Sequence, residues 1–352
     1  FDFGSVDEKK DLDAFLKLCE KKRLCVLVRP GPHINSEMTY FGYPPRVVLN
    51  PKVQAITSNG AVDYINAIPK NFPIPSYASE EFYRETGIYF DALMPIIKRH
   101  LAPAGGCIVG IQADNEFCYF WHLGMFQLDY SKDSLKLYRQ FLKLKYEKIA
   151  ALNSMYKARN KSFAAVEPPR AFKAENISEM PYYLDWAEYK EFHVTNGLNR
   201  VADMFRARGI KDIPIYHNGG FPTKTITNVT KIEQAIDVHG MDFYSFRDNG
   251  YGTLKEWGSY LGVMSRMPFI PEMGCGAWHT FKPRMPEDEK FVNMAAFMHG
   301  IKAVNYYMLC ERDRWQGGVV TRDGRKREGY FNVHKKFNGI IKKEDLLSFR
   351  KK

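Results

Sequence analysis

Two glutamates stand where a carboxylate can do chemistry. Glu116 closes the run Ile111-Gln112-Ala113-Asp114-Asn115-Glu116, and Glu272 closes Pro268-Phe269-Ile270-Pro271-Glu272. Each run starts apolar and ends polar, the pattern of a buried strand giving way to a loop. Two carboxyl groups facing one cleft supply what cleavage of a glycosidic bond demands. One must be protonated to donate to the leaving oxygen, and the other ionised to attack carbon or to activate water. Position alone leaves open that either residue caps a helix or holds an ion pair. The indoles of Trp121, Trp278 and Trp315, all just past strand ends, suit the apolar faces of pyranose rings, though each also fits as a partly buried packing residue.

These groups need a frame. Residues 8–22 carry Leu12, Phe15, Leu16 and Cys19 at helical spacing, and 80–101 repeats the pattern with Pro95 expected to kink it. Short apolar runs at 24–28, 107–112, 213–217, 237–243, 267–271 and 302–308 read as strands. Helical stretches fall at about 131–208, 288–300 and 327–341. Near-continuous apolar strands alternating with amphipathic helices imply βα units and a parallel sheet covered on both faces. No strand is followed by a Gly-rich phosphate loop, which removes support for a dinucleotide fold. Polar and aromatic groups follow the strands instead: His33, Asn35 and Glu37; Asn115 and Glu116; His217 and Asn218; Tyr244; Glu272; Tyr306, Tyr307 and Glu311. Chemistry-bearing residues at the carboxyl ends of several strands are the habit of a TIM (β/α)8 barrel. Six strands are countable, so the expectation is an α/β barrel with strands 3–8 present and its first two β/α units lacking. The barrel spans 1–341, with a helical insert at about 118–208 and a basic tail at 342–352.

The run Arg29-Pro30-Gly31-Pro32-His33-Ile34-Asn35-Ser36-Glu37, followed by Phe41-Gly42-Tyr43-Pro44, resembles the third-strand signature of family 35 β-galactosidases. Gly110-Ile111-Gln112-Ala113-Asp114-Asn115-Glu116 is similar to their fourth-strand motif, and Phe1-Asp2-Phe3 to the phrase after their second strand. Tyr138-Arg139-Gln140-Phe141-Leu142-Lys143-Leu144-Lys145-Tyr146, with Ala151-Leu152-Asn153 and Pro168-Pro169, resembles an inserted helical segment of family 42 β-galactosidases. Both families belong to one clan of retaining (β/α)8 glycosidases. The resemblance implies that Glu116 is the general acid/base and Glu272 the nucleophile. It implies that Asn115 binds the sugar 2-hydroxyl, that Glu37 holds hydroxyls across the ring, and that Tyr244 steadies the nucleophile. Asn35-Ser36 stands where the family has Cys-Ala, and His33 where it has Tyr, at the place that recognises the terminal sugar. Another β-hexoside, such as a glucosaminide, is therefore the alternative to a β-galactoside. Asp114 occupies the usual Glu position and points the other way on its strand.

Composition excludes other classes. With 352 residues, 45% hydrophobic and 26% charged, the chain is of globular type, and 14% aromatics rule out intrinsic disorder. No window of eighteen consecutive apolar residues marks a membrane span, so no membrane partner is expected. The net charge of +11 comes from short clusters with acidic neighbours, which read as a solvated surface. A nucleic-acid binder would instead show affinity falling steeply with salt, and no nucleic-acid partner is expected. Cysteines 19, 25, 107, 118, 275 and 310 form no CxxC pair, which mildly favours a reducing, cytoplasmic compartment. No His, Asp or Glu cluster has metal-ligand spacing. His217, His239 and His279 read as mouth or packing residues, so neither metal nor organic cofactor is expected. The leading expectation is a retaining exo-β-glycosidase, most like a β-galactosidase. Its competitor is a non-catalytic carbohydrate-binding remnant of such a barrel. An upstream segment or an oligomer completing the barrel is the expected partner besides substrate.

Overall fold

The computed structural model describes residues 3–67, 69–117, 124–220, 227–345 and 348. They fall into two compact units, one made of the residues up to Ile215 with 227–228, the other of those from Tyr216 onward.

The first unit contains helices α1 (Leu12–Lys21), α2 (Pro45–Val48), α3 (Glu80–Arg99), α4 (Lys132–Tyr146), α5 (Ile149–Tyr156) and α6 (Met180–Ala207). Its strands are β1 (Val26–Val28), β2 (Tyr64–Ile65), β3 (Phe72–Pro73) and β4 (Ile108–Gln112). β1 and β4 pair in parallel with Val28 opposite Ile111, so the segments after both strands leave the same edge of the sheet. β2 and β3 form a small antiparallel ladder.

α3 begins because the Ser79 side chain accepts the Phe82 N–H, with Glu80 and Glu81 at the positive end of the helix dipole and Lys98 and Arg99 at the negative end. It buries Phe82, Phe90, Leu93, Met94 and Ile97. The helix continues through Pro95, the position expected to kink it. Pro95 and Asp91, whose carbonyl loses its N–H partner, are both exposed, so water can hydrate that carbonyl. The inserted helices α4, α5 and α6 enclose a core of their own around Tyr130, Tyr138, Phe141, Leu152, Trp186 and Tyr189.

The second unit runs from β5 (Ile215–Gly219) through α7 (Val229–Ala235), β6 (Val238–Met241), α8 (Tyr251–Met264), β7 (Phe269–Gly274), β8 (Ala277–Trp278), α9 (Pro286–Met298), β9 (Ala303–Tyr307) and β10 (Trp315–Gln316) to α10 (Glu328–Lys343). β5 pairs in parallel with β6, with Asn218 opposite Gly240, and β7 pairs in parallel with β9. Phe243 bridges to Met273 in the same sense. The six parallel strands fall where the apolar runs placed them, each within a few residues. Met241, Phe243, Leu254, Leu261, Ile270, Met273, Val292 and Ile301 make the core.

Helices α7 and α8 were not expected from the sequence. The buried stripe of α8 is Leu254, Gly258 and Leu261, so glycine occupies its middle and the apolar periodicity is hidden. That glycine lets the helix approach the turn before β9, since a Cβ there would lie 3.3 Å from the His299 Cβ. Among the described residues, no helix is long and apolar enough to cross a membrane.

Candidate functional site

In the first unit, the segments leaving β1 and β4 meet. His33 is fully buried; its backbone N–H donates to Asp114 Oδ1 at 2.6 Å, and its Nδ1 lies 2.5 Å from the Asn115 carbonyl oxygen. Its ring stacks on Phe41 and Tyr43 at 5.3 and 5.8 Å. Arg29 donates a guanidinium N–H to Asn115 Oδ1, to which the Gln112 amide also points at 3.4 Å. The Asn115 side chain is thus oriented from two sides. Glu116, next to it, is only 7% exposed.

The backbone here is held in the left-handed region. φ is 58° at Asp114 and 43° at Glu116, and 57°, 46° and 52° at Asn35, Ser36 and Glu37. Such angles cost non-glycine residues about 1–3 kcal/mol each and persist only where surrounding contacts enforce them. The expected site residues Asn35, Glu37 and Glu116 are all on this strained backbone, while Asn35 and Glu37 are half-buried.

Asp114 is fully buried and holds the His33 backbone N–H, which makes it a positioning group. Burial pushes its carboxyl up to about 8, against the pull of the His33 and Asn115 backbone N–H groups. The folded state therefore binds a proton that an unfolded chain releases near 3.8, so its contribution to stability is complete below that value and is lost as pH rises through 8. Asp114→Asn keeps the acceptor for His33 and removes the titration. We expect the variant to lose less thermal stability than the parent between pH 4 and 8, measured by melting at a series of pH values. Equal slopes would contradict this.

In the second unit, Glu272 lies near the end of β7 and is 6% exposed. Both of its oxygens are engaged. Tyr244 Oη donates to Oε2, and Asn218 Nδ2 donates to Oε1 at 3.2 Å. The same amide donates its other hydrogen to Asp242 Oδ2 at 2.7 Å, which sets the rotation of Asn218. The backbone around the carboxylate is tied to the neighbouring strand, because Phe243 N–H donates to the Glu272 carbonyl at 2.9 Å. Tyr244 meets Tyr307 and Trp315 edge to face at 6.4 and 6.1 Å, and those two meet at 5.0 Å. Trp315 donates its indole N–H to the Cys275 carbonyl at 2.8 Å and pairs with Trp278 across β10 and β8. An aromatic wall therefore stands beside the Glu272 carboxylate, with both tryptophans largely buried.

Several polar residues expected at strand ends serve other purposes. Glu311 accepts from Arg327 at 2.7 Å and from the Gly317 N–H at 2.6 Å. Tyr306 donates to Asn293 at 2.6 Å and packs against His334. His217 and His239 stack at 5.5 Å in the core, where burial and the neighbouring ring hold His239 well below its ordinary range. Trp121 lies outside the described residues. Arg29, Asn218 and Asp242 orient the expected site residues without having been assigned roles from sequence. Arg29 opens the third-strand run and Asn218 follows a strand, so a signal existed for both. Asp242 had none.

Parallel strands whose carboxyl ends carry carboxylates, amides and aromatic rings define an α/β protein. The chain belongs to glycoside hydrolase family 42: residues 77–342 match the model of that family, described as beta-galactosidase. It is 28% identical over 335 residues to a beta-1,2-glucosyltransferase of Ignavibacterium album, which covers 88% of this chain and 44% of that protein. It is 26% identical over 223 residues to an exo-beta-D-glucosaminidase of Pyrococcus horikoshii, covering 61% and 27%. Among solved structures, a beta-galactosidase from the psychrophilic Marinomonas ef1 superposes with a TM-score of 0.72 at 19% identity, over 97% of this chain and 54% of that one. The chain thus shares its fold with the TIM-barrel enzymes of the family, and spans about half the length of that structure or less of the curated relatives. The matching family is 42. The run at 29–44, which resembles family 35, precedes the matched residues.

Proposed function

We propose that the protein is a retaining β-glycosidase in which Glu272 is the nucleophile and Glu116 the acid/base. The observation that carries this reading is the Glu272 carboxylate, with one oxygen held by Tyr244 and the other by Asn218 at the end of β7. A carboxylate aimed by two donors loses little freedom when it attacks an anomeric carbon. In the first half-reaction its oxygen bonds that carbon as the aglycone oxygen departs with the Glu116 proton. In the second, Glu116 takes a proton from water, which displaces Glu272 and regenerates both groups. In this reading Asn115, whose amide oxygen accepts from Arg29, bonds the sugar 2-hydroxyl, and Asn35 and Glu37 bond hydroxyls of the same ring. Trp278 and Trp315 supply its apolar wall.

A β-galactoside is the proposed substrate. A β-glucosaminide is the second reading, favoured by His33 and Asn35 at the sugar-recognition run and by the glucosaminidase among the relatives. Aryl β-galactoside, β-glucoside, β-glucosaminide and β-fucoside distinguish them: release from one sugar names the substrate. Silence across all four from folded protein would favour a carbohydrate-binding role.

Tyr244→Phe removes one hydrogen bond to a charged group, worth about 1.5–3 kcal/mol, and is expected to lower kcat/KM by about 10- to 100-fold. Steady-state kinetics on the best aryl glycoside check this. Unchanged kcat/KM would show that the phenol does not serve the reacting carboxylate.

A further inference from the structure

Three different metal-ligating side chains converge in the second unit outside the proposed glycosidase machinery. Cys275 follows β7, Glu289 lies in the first turns of α9, and His334 is in α10; they are 0%, 0% and 4% exposed. Cys275 Sγ is 4.0 Å from His334 Nε2, and His334 Nε2 is 3.5 Å from Glu289 Oε2. All three donor atoms lie within 4.8 Å of one another. A tetrahedral zinc ion with its usual bond lengths sets neighbouring S, N and O ligands roughly 3.3–3.6 Å apart, so a modest contraction would place all three on one ion.

The surroundings divide the work of Glu289 between its two oxygens. Oε1 accepts from Arg284 Nε at 2.9 Å. Oε2 is buried, accepts no hydrogen bond, and has the His334 ring nitrogen as its ion-pair neighbour. A buried carboxylate oxygen without a hydrogen bond is costly, and a cation is one way to relieve it. Tyr306 packs edge-on against the imidazole at 4.6 Å and fixes the ring plane. Arg284 also donates to the Ser245 carbonyl at 2.8 Å, so its charge is anchored and cancels one carboxylate. A thiolate, an imidazole and one carboxylate oxygen form a donor set that suits zinc and its neighbours rather than magnesium or calcium.

We infer that Cys275, Glu289 and His334 form a buried three-ligand site for a zinc-class divalent cation, tying the turn after β7 to α9 and α10, with a fourth position open to water. Binding forms Cys275 S–metal, His334 N–metal and Glu289 O–metal bonds and releases the thiol proton to solvent. No part of this rests on the glycosidase reading. It escaped sequence spacing because the ligands sit on separate elements.

The test uses the full protein after chelator treatment and dialysis, titrated with cobalt(II) alone. The expected result is one cobalt per chain with a thiolate-to-cobalt charge-transfer band, lost on adding zinc. The band should vanish in Cys275→Ser and persist in Cys25→Ser, a change at an exposed thiol of the first unit. His334→Gln should weaken zinc binding by more than about 100-fold, beyond the usual cost of losing an outer-shell partner. Folded parent protein without the band, or a band that survives Cys275→Ser, overturns the site. Where Cys275→Ser does not fold, the parent and His334→Gln decide: a band in the parent at unchanged zinc affinity in His334→Gln is equally fatal.

Discussion

Glu272→Ala is expected to abolish turnover, lowering kcat on any cleaved aryl glycoside by on the order of 10⁴-fold or more. The loss follows from the covalent step. Without the carboxylate no glycosyl-enzyme can form, and Tyr244 and Asn218 are left donating into an empty space. The same variant offers a positive readout. Azide is small enough to enter the space vacated by the side chain and attack the anomeric carbon from that face. The product would be the glycosyl azide of inverted, α configuration, formed with Glu116 still donating its proton. Nuclear magnetic resonance of the product distinguishes this from contaminating activity. Recovery of the β-azide from Glu272→Ala would show that the nucleophile lies elsewhere.

Glu116→Ala should behave differently, and the contrast is the useful part. Removing a general acid costs about 10²–10⁴-fold where the leaving group needs a proton. With a dinitrophenyl aglycone, which departs as a stable anion, the first half-reaction needs little help and the glycosyl-enzyme should accumulate. Azide would then intercept it without general-base assistance and give the β-configured product. Kinetics across aryl aglycones of graded acidity test this: the variant should depend on leaving-group pKa much more steeply than the parent. Equal dependence in both proteins would remove Glu116 from the acid/base role.

Much of the fold was legible before the structure, for identifiable reasons. Buried parallel strands are apolar throughout, so β4 and β7 announced themselves and put Glu116 and Glu272 near their carboxyl ends. α8 was hidden because its interior stripe passes through Gly258, chosen for close approach rather than for apolar area. Pro95 lies on the exposed face of α3, where a long helix accommodates a proline without ending. The partners of the site residues were the least legible. Asn218 reaches Glu272 across strands, and Arg29 reaches Asn115 from the end of β1. Such pairings depend on the order of strands in space, which local spacing does not encode. Cys275, Glu289 and His334 illustrate the same limit, meeting only after β7, α9 and α10 have packed.

The most direct test of the central claim is to trap the glycosyl-enzyme. The parent protein would be incubated with a 2-deoxy-2-fluoro dinitrophenyl β-glycoside of galacto or gluco configuration, matched to the aryl glycosides it cleaves, then digested and read by tandem mass spectrometry. Fluorine at C2 destabilises both oxocarbenium-like transition states, while the good leaving group lets the first proceed, so the intermediate persists. The predicted result is one fluoroglycosyl group per chain, on the peptide containing Glu272 and assigned to that residue. A label on any other carboxylate, or no covalent adduct from protein that turns over the parent aryl glycoside, would contradict it.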